Sequence, residues 1–238
     1  MRKQMLKKVK RFIKRRLFTK ERIEGKENSI EYIAGFFRKI SITIKGDKNL
    51  LRFGDDTILK SCRFDINGSG NKIIIEKSNQ LFKAEFIING NNCEIHIGDK
   101  NDFSGGNDVF SASGNKTKIV IGNENAFAWG HHNLTAEDGT SLYIGDGCLF
   151  SNDIYVRTGD SHSIFSVESG EKLNVEKDVR IGNHVWVAPC SRILKGSCVQ
   201  DGSVVGTGSI VTKEFTKKNI VIAGNPAKIV KENIRWER

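Results

Sequence analysis

Proline is nearly missing from this chain, with two residues in 238. A backbone that keeps almost all its N–H donors can run hydrogen-bonded ladders with few interruptions. No apolar run approaches the roughly 20 residues of a membrane-spanning helix. The first twenty residues lack an uninterrupted apolar stretch, so no cleavable secretion signal is expected. The five cysteines, Cys62, Cys93, Cys148, Cys190 and Cys198, are scattered, odd in number and without CxxC spacing. That speaks against a disulfide framework or a zinc site and for the reduced thiols of a cytosolic protein. The histidines His96, His131, His132, His162 and His184 show no three-imidazole set, so no metal is expected. No Ser or Cys has an evident base partner, which leaves covalent nucleophilic catalysis unsupported.

Acid is scarce at one end only. The formal net charge is +10, and Arg2, Lys3, Lys7, Lys8, Lys10, Arg11, Lys14, Arg15, Arg16, Lys20 and Arg22 crowd the N-terminus against the single acid Glu21. Within this tail Met5, Leu6, Val9, Phe12, Ile13 and Leu17 fall at helical spacing. Two readings of the basic amphipathic segment 1–40 stay open. One is a helix on an anionic membrane surface, where each Lys or Arg adds about 1 kcal/mol. The other is a helix capping the end of the fold with its lysines solvated. Nucleic acid is not expected, because no aromatic stacking pattern accompanies the charge.

What the chain has in quantity is glycine, 24 residues, and a period. From Ile181 an aliphatic side chain recurs at every sixth position: Ile181, Val187, Ile193, Val199, Val205, Val211. Four residues after each of the first five stands Val185, Ser191, Ser197, Ser203 or Ser209. Period six fits neither a helix nor a flat strand. It fits a coil of three short walls, each with one aliphatic residue pointing inward and a small residue beside it, which is a parallel β-helix. A looser form runs from about Ile42 to Ile144, with aliphatic pairs at Ile73-Ile75, Ile95-Ile97, Ile119-Ile121 and Tyr143-Ile144. Ile97 leads on to Phe103 and Val109, and Ile144 to Phe150 and Val156. Polar corners such as Asn67-Gly68-Ser69-Gly70-Asn71 separate the turns, where Gly and Asn accept positive φ. The expected architecture is a β-helix over 41–215 and a C-terminal strand with a short helical tail over 216–238.

The register breaks after His162, and the next clean hexad, at Val175 and Ile181, is one residue out of phase. Residues 163–174 are therefore read as a loop leaving the coil, and sites are often built on such excursions. His162 stands at its head. Imidazole titrates near working pH, as a general base must. Asp160, two residues earlier on an extended strand, would project to the same side and orient the ring. Trp129, His131, His132 and Arg157 are the candidates for lining an acceptor groove; for the two histidines a corner role is equally open.

The hexads, the segment Ile181-Gly182-Asn183-His184-Val185-Trp186-Val187 and the closing Ala223-Gly224-Asn225-Pro226-Ala227-Lys228 resemble the hexapeptide-repeat acyltransferases. Within these they are most similar to the O-acetyltransferases of bacterial capsule, sialic acid polymers and lipopolysaccharide. The resemblance spans roughly Ile144 to Trp236 and implies a left-handed parallel β-helix, a homotrimer and acetyl-CoA in a groove between subunits. It implies His162 as the catalytic base and Trp186 as the active-site tryptophan. Ala188, Gly206, Gly224, Asn225, Pro226 and Lys228 would line the CoA site, without a metal. Relatives often carry an acid shortly after the histidine; here Ile164-Phe165-Ser166 follows, leaving Asp160 or Glu168 to supply any carboxylate. The implied reaction is direct acetyl transfer to a sugar hydroxyl of a surface polysaccharide or its precursor, in the bacterial cytoplasm or at the inner face of its membrane. An N-acetyltransferase of an amino sugar nucleotide and a non-catalytic β-helix scaffold are the alternatives.

Overall fold

In the computed structural model, which describes residues 19–238, every regular element is a β-strand. The chain lays strands in turn on three walls, which hold nine, eight and ten strands. All pairings in the walls are parallel except the closing hairpin of Val221–Gly224 with Ala227–Lys231. The result is a left-handed β-helix of about nine turns. No α-helix occurs among the described residues.

Side-chain alternation builds the core. In Ile40–Lys45 the isoleucines Ile40, Ile42 and Ile44 point inward and Ser41 and Thr43 outward. In-register pairing sets Ile42, Phe64, Phe86 and Phe110 on successive floors. Phe64, Phe86 and Phe110 stack with centroids 4.8 and 4.7 Å apart. A second pile of Phe103, Phe127 and Phe150 has spacings of 4.3 and 4.5 Å. Both match the strand-to-strand repeat of a sheet, so the rings stack because the backbone ladder puts them there.

The corners are held by amide ladders. Asn125 N–H donates to Asn101 Oδ1 at 2.9 Å, Asn101 N–H to Asn79 Oδ1 at 2.8 Å, and Asn101 Nδ2 to the Gly122 carbonyl at 2.9 Å. A buried side chain thus takes over backbone groups that the turning chain cannot pair.

A floor takes 21 to 24 residues in the N-terminal part, as the Thr19–Ile40 pairing and the Asn125–Asn101 bond record, and 18 where Asn183 meets Asp201. Three hexads make 18, which is why strict period six appears only after Ile181. There Val187, Ile193, Val199, Val205 and Val211 face inward, and Ser191, Ser197, Ser203 and Ser209 are buried at the corners.

Four expectations are corrected, and one falls outside the described residues. The coil starts before residue 41, because Thr19–Glu24 pairs with Ile40–Lys45 and Ser29–Tyr32 with Leu50–Phe53. The helical stripe of the N-terminal tail falls on residues 1–18, outside the described residues. Val109 points outward, between inward Asp108 and Phe110, because the turn at Gly105–Gly106 shifts the phase. Val175 is 53% exposed and belongs to the loop; the hexads resume inward at Val179 and Ile181. The tail from Glu232 to Arg238 is not helical. Its groups are spent on the coil instead: Ile234 N–H on the Asn219 carbonyl, and Arg238 Nη2 on the carbonyls of Glu124 and Cys148.

Candidate active site

The excursion begins where the first-wall strand Ile154–Arg157 ends, and the chain rejoins the coil at the second-wall strand Val179–Ile181. Between them the chain folds into an arm: Phe165 bridges Lys172, Leu173 N–H donates to the Ile164 carbonyl at 2.7 Å, and Ser166 N–H donates to Glu171 O at 2.9 Å. Ile164, Phe165, Val167, Leu173 and Val175 are all exposed on it.

His162 sits at the base of the arm and is exposed, which excludes an inward core histidine. Asn174 closes the base across it. Its Nδ2 donates to the His162 carbonyl at 2.8 Å and to Asp160 Oδ2 at 2.9 Å, and its Oδ1 accepts from Ile164 N–H at 2.6 Å. Asp160 does not follow the strand geometry expected of it. Residues 158–162 form a bend with Ser161 at φ 64°, so the two-residue rule fails. The Asp160 carboxylate instead accepts from Lys195 Nζ at 2.5 Å. That ammonium, with the Asn174 amide, holds the carboxyl below its usual range. Asp160 is a strut of the arm.

Trp186 opens the third-wall strand Trp186–Val187 and faces outward, its Nε1 donating to Ser151 Oγ at 3.2 Å. The third wall lies across the prism from the corner that bears His162. The core side chains Phe150, Val156 and Val187 stand between them, so one copy of the chain does not bring His162 and Trp186 together. A stripe of small residues runs beside Trp186. Ser151 N–H bonds to the Val187 carbonyl, Ala188 N–H to the Val205 carbonyl and Gly206 N–H to the Ile222 carbonyl, stacking Ser151, Ala188, Gly206 and Ala223 floor by floor. A Cβ on Gly206 would lie 3.0 Å from the Ala223 methyl. Gly224, Asn225 and Pro226 form the exposed tip of the closing hairpin, with a cis Asn225–Pro226 bond, and Lys228 is exposed just beyond it.

Corner 2–3 is covered by the C-terminal tail. Trp236 stacks on His184 at 4.1 Å and 6° and lies 6.1 Å from Trp186. The two residues exchange bonds: Trp236 Nε1 donates to the His184 carbonyl at 3.0 Å, and His184 Nε2 to the Trp236 carbonyl at 3.1 Å.

The other candidates divide. Trp129 is 82% exposed at the corner between the third and first walls. His131 beside it donates from Nδ1 to the Asn107 carbonyl at 2.9 Å, which leaves Nε2 for a further partner. His132 does not line a groove: it is 1% exposed, with Nε2 on the Ser151 carbonyl at 2.7 Å and Nδ1 on Asp108 at 2.6 Å. Its role is the corner. Arg157 is half-buried against Glu137 and is part of the loop's attachment. The residue that sequence reasoning missed is Glu137, which stands in the outward column of the first wall with Ser113 and is buried only because Arg157 and Ser161 of the next floor fold onto it. Burial pushes the Cys62 and Cys148 thiols up to about 12, which removes them as nucleophiles. Among the described residues no cluster of His, Cys, Asp and Glu could hold a metal ion, and no helix is long and apolar enough to cross a membrane.

Comparison with known proteins gives the family. No family model matches the chain. It is 31% identical over 194 residues to a polysialic acid O-acetyltransferase of Neisseria meningitidis, covering 82% of this chain and 88% of that protein. The chain belongs to the polysialic acid O-acetyltransferase family. The crystallised family member OatWY superposes with a TM-score of 0.68 at 28% identity, over 92% of both chains. The polysialic-acid-specific acetyltransferase NeuO gives 0.61 at 27% identity, over 92% of this chain and 89% of that one. Membership makes this chain an acyltransferase of the O-acetylating kind.

Proposed function

We propose that the chain transfers the acetyl group of acetyl-CoA to a hydroxyl of a bacterial cell-surface polysaccharide, with His162 as general base. The observation that carries this reading is His162 itself: an exposed imidazole at a corner where Asn174, Asp160 and Lys195 pin the backbone on both sides. As the sugar oxygen attacks the thioester carbonyl, the imidazole takes the hydroxyl proton. When the carbon–sulfur bond breaks, the imidazolium returns that proton to the leaving thiolate. No acyl-enzyme forms.

The small-residue stripe Ser151, Ala188, Gly206 and Ala223 is where an extended pantetheine arm fits, since no side chain there keeps it off the backbone. The Gly224-Asn225-Pro226 tip lies at its end, and the Lys228 ammonium is placed for phosphate. Trp186 borders the same stripe. Because His162 and Trp186 lie on opposite sides of one prism, the site is built from two copies, in a homotrimer with one site at each of three boundaries. The exposed apolar arm supports that assembly: a neighbour's third wall covers Ile164, Phe165 and Leu173. Trp129 and His131 are offered as acceptor contacts. The basic residues 1–20 rest the trimer on an anionic membrane face; removing them without altering membrane fractionation would refute that part.

The acceptor named by the relatives, polysialic acid, is the first to test, beside lipopolysaccharide sugars and UDP-amino sugars. Acetyl esters on a polysaccharide, detected by mass spectrometry and released by mild alkali, support the reading. Alkali-stable acetamides on a UDP-amino sugar alone would replace it with N-acetylation.

A further inference from the structure

Glu137 ends the first-wall strand His132–Glu137, one floor above the point where the arm departs. It is 9% exposed, and its carboxylate is spent entirely on the residues that lead to His162. Oε2 accepts from Ser161 N–H at 2.9 Å, and Oε1 accepts from Ser161 Oγ at 2.9 Å and Arg157 Nη2 at 3.0 Å. Arg157 Nη2 also donates to Ser161 Oγ, so the three side chains form one closed set. The backbone repeats the attachment, since Glu137 N–H donates to Thr158 Oγ1 at 2.8 Å. Gly159 leaves the carboxylate room: a Cβ there would meet Glu137 Oε2 at 2.4 Å.

Ser161 stands at φ 64° immediately before His162. A serine held at positive φ needs an external constraint, because isolated L-residues seldom rest there. Two charge-assisted bonds to one buried carboxylate supply it. The turn Thr158–Ser161 is thereby fixed to the rigid wall instead of moving with the arm.

We propose that Glu137 is a positioning residue for His162, its carboxylate clamping the Ser161 turn so that the imidazole leaves the coil in one direction. The proposal rests on the reading of His162 as the base. It concerns neither substrate contact nor the ladders of the coil, since the first-wall pairing with the next floor ends at Thr135 and Arg157, before Glu137.

The test compares the full-length wild type with Glu137→Gln, Gly159→Ala, the double variant and His162→Ala, using acetyl-CoA and polysialic acid as probes. Gln keeps the size but turns an NH2 toward a donor, breaking one side of the clamp. Gly159→Ala displaces the same carboxylate from below. Misplacing a reacting group by an ångström costs up to 100-fold in rate, so kcat should fall roughly 10- to 100-fold in each single variant. KM for acetyl-CoA and the melting temperature should stay near wild type, and Glu137→Asp should recover part of the rate. The double variant should be no slower than the worse single, since both break one clamp. Unchanged kcat in Glu137→Gln would overturn the proposal. So would a rate loss that tracks a fall in melting temperature, or losses that multiply in the double variant. Full activity in His162→Ala would overturn the base reading instead, which the variants of Glu137 and Gly159 cannot mimic.

Discussion

His132 Nδ1 lies 2.6 Å from Asp108 Oδ1 inside the prism, both side chains 1% exposed. They occupy the corner column that holds Ala84 on the floor before and Ile154 on the floor after. His132 Nε2 carries a proton, because it faces the Ser151 carbonyl, which can only accept. Asp108 Oδ2 has no hydrogen-bond partner. A carboxylate charge left on that oxygen is unsolvated, and burial raises the Asp108 carboxyl above its ordinary value despite the imidazole beside it.

The sign of the pH dependence follows. The native state prefers the protonated acid, so this contribution is complete below the unfolded carboxyl value near about 4 and is lost as pH rises through the raised folded value. Asp108→Asn keeps a donor for His132 Nδ1 and removes the titration. The melting temperature of the variant minus that of wild type should grow as pH rises from about 4 to 7, by about 2–4 °C for each kcal/mol. A difference that is flat or shrinks with pH in thermal melts would contradict the raised value. Subtracting wild type matters because Asp160, Asp201 and Glu176, all lowered by lysine partners, make the opposite contribution at low pH.

The amide ladders predict a larger loss from a smaller change. Asn101→Ala removes an acceptor for the buried Asn125 N–H and a donor for the half-buried Gly122 and Gly98 carbonyls. Each group left unpaired costs about 1–3 kcal/mol. The variant should melt well below wild type, whereas alanine at exposed Asn91, also in a corner, should cost far less. Circular dichroism melts of the two variants decide it.

The sequence revealed the coil where its period was strict. From Ile181 to Val211 the floors repeat every 18 residues, so the period itself names the inward column and the buried serines. Upstream, floors of 21 to 24 residues blur the period, and a count in sixes sets Val109 on the wrong face because one glycine turn shifts the phase. Residues 19–38 hid their strands beneath the charge of the tail. The loop was legible as a broken register and His162 as its head. Glu137 was not, because it lies 25 residues upstream of His162 and only the parallel stacking of two floors brings it to Ser161. A strand rule cannot place Asp160, because its carboxylate is held by Lys195 from 35 residues away.

A site shared between copies predicts complementation. His162→Ala and Trp186→Ala proteins should each be inactive alone. Co-expressed as mixed trimers, they should regain activity, because some boundaries pair an intact His162 with an intact Trp186. Random mixing of equal amounts gives about a quarter of the boundaries intact. No recovery in verified mixed trimers would mean that both residues serve one copy or that Trp186 has no part.

The small-residue stripe predicts a KM effect without a stability effect. Gly206→Val places two methyl groups on the stripe, against the methyl of Ala223. KM for acetyl-CoA should rise about tenfold or more, with the melting temperature close to wild type and KM for the acceptor unchanged. Lys228→Ala should raise the same KM by a smaller factor, and more at low salt, where charge attraction is least screened. A rise in acceptor KM alone would move the stripe to the acceptor.

The most direct measurement of the central claim is thiol release from acetyl-CoA with and without polysialic acid, for wild type and His162→Ala. Acceptor-dependent release in wild type that falls at least about 100-fold in the variant, with acetyl-CoA binding preserved in both, is the predicted result. Release that survives in His162→Ala would contradict the assignment of the base, and failure of the wild type to bind acetyl-CoA would contradict the acetyl-transfer account as a whole.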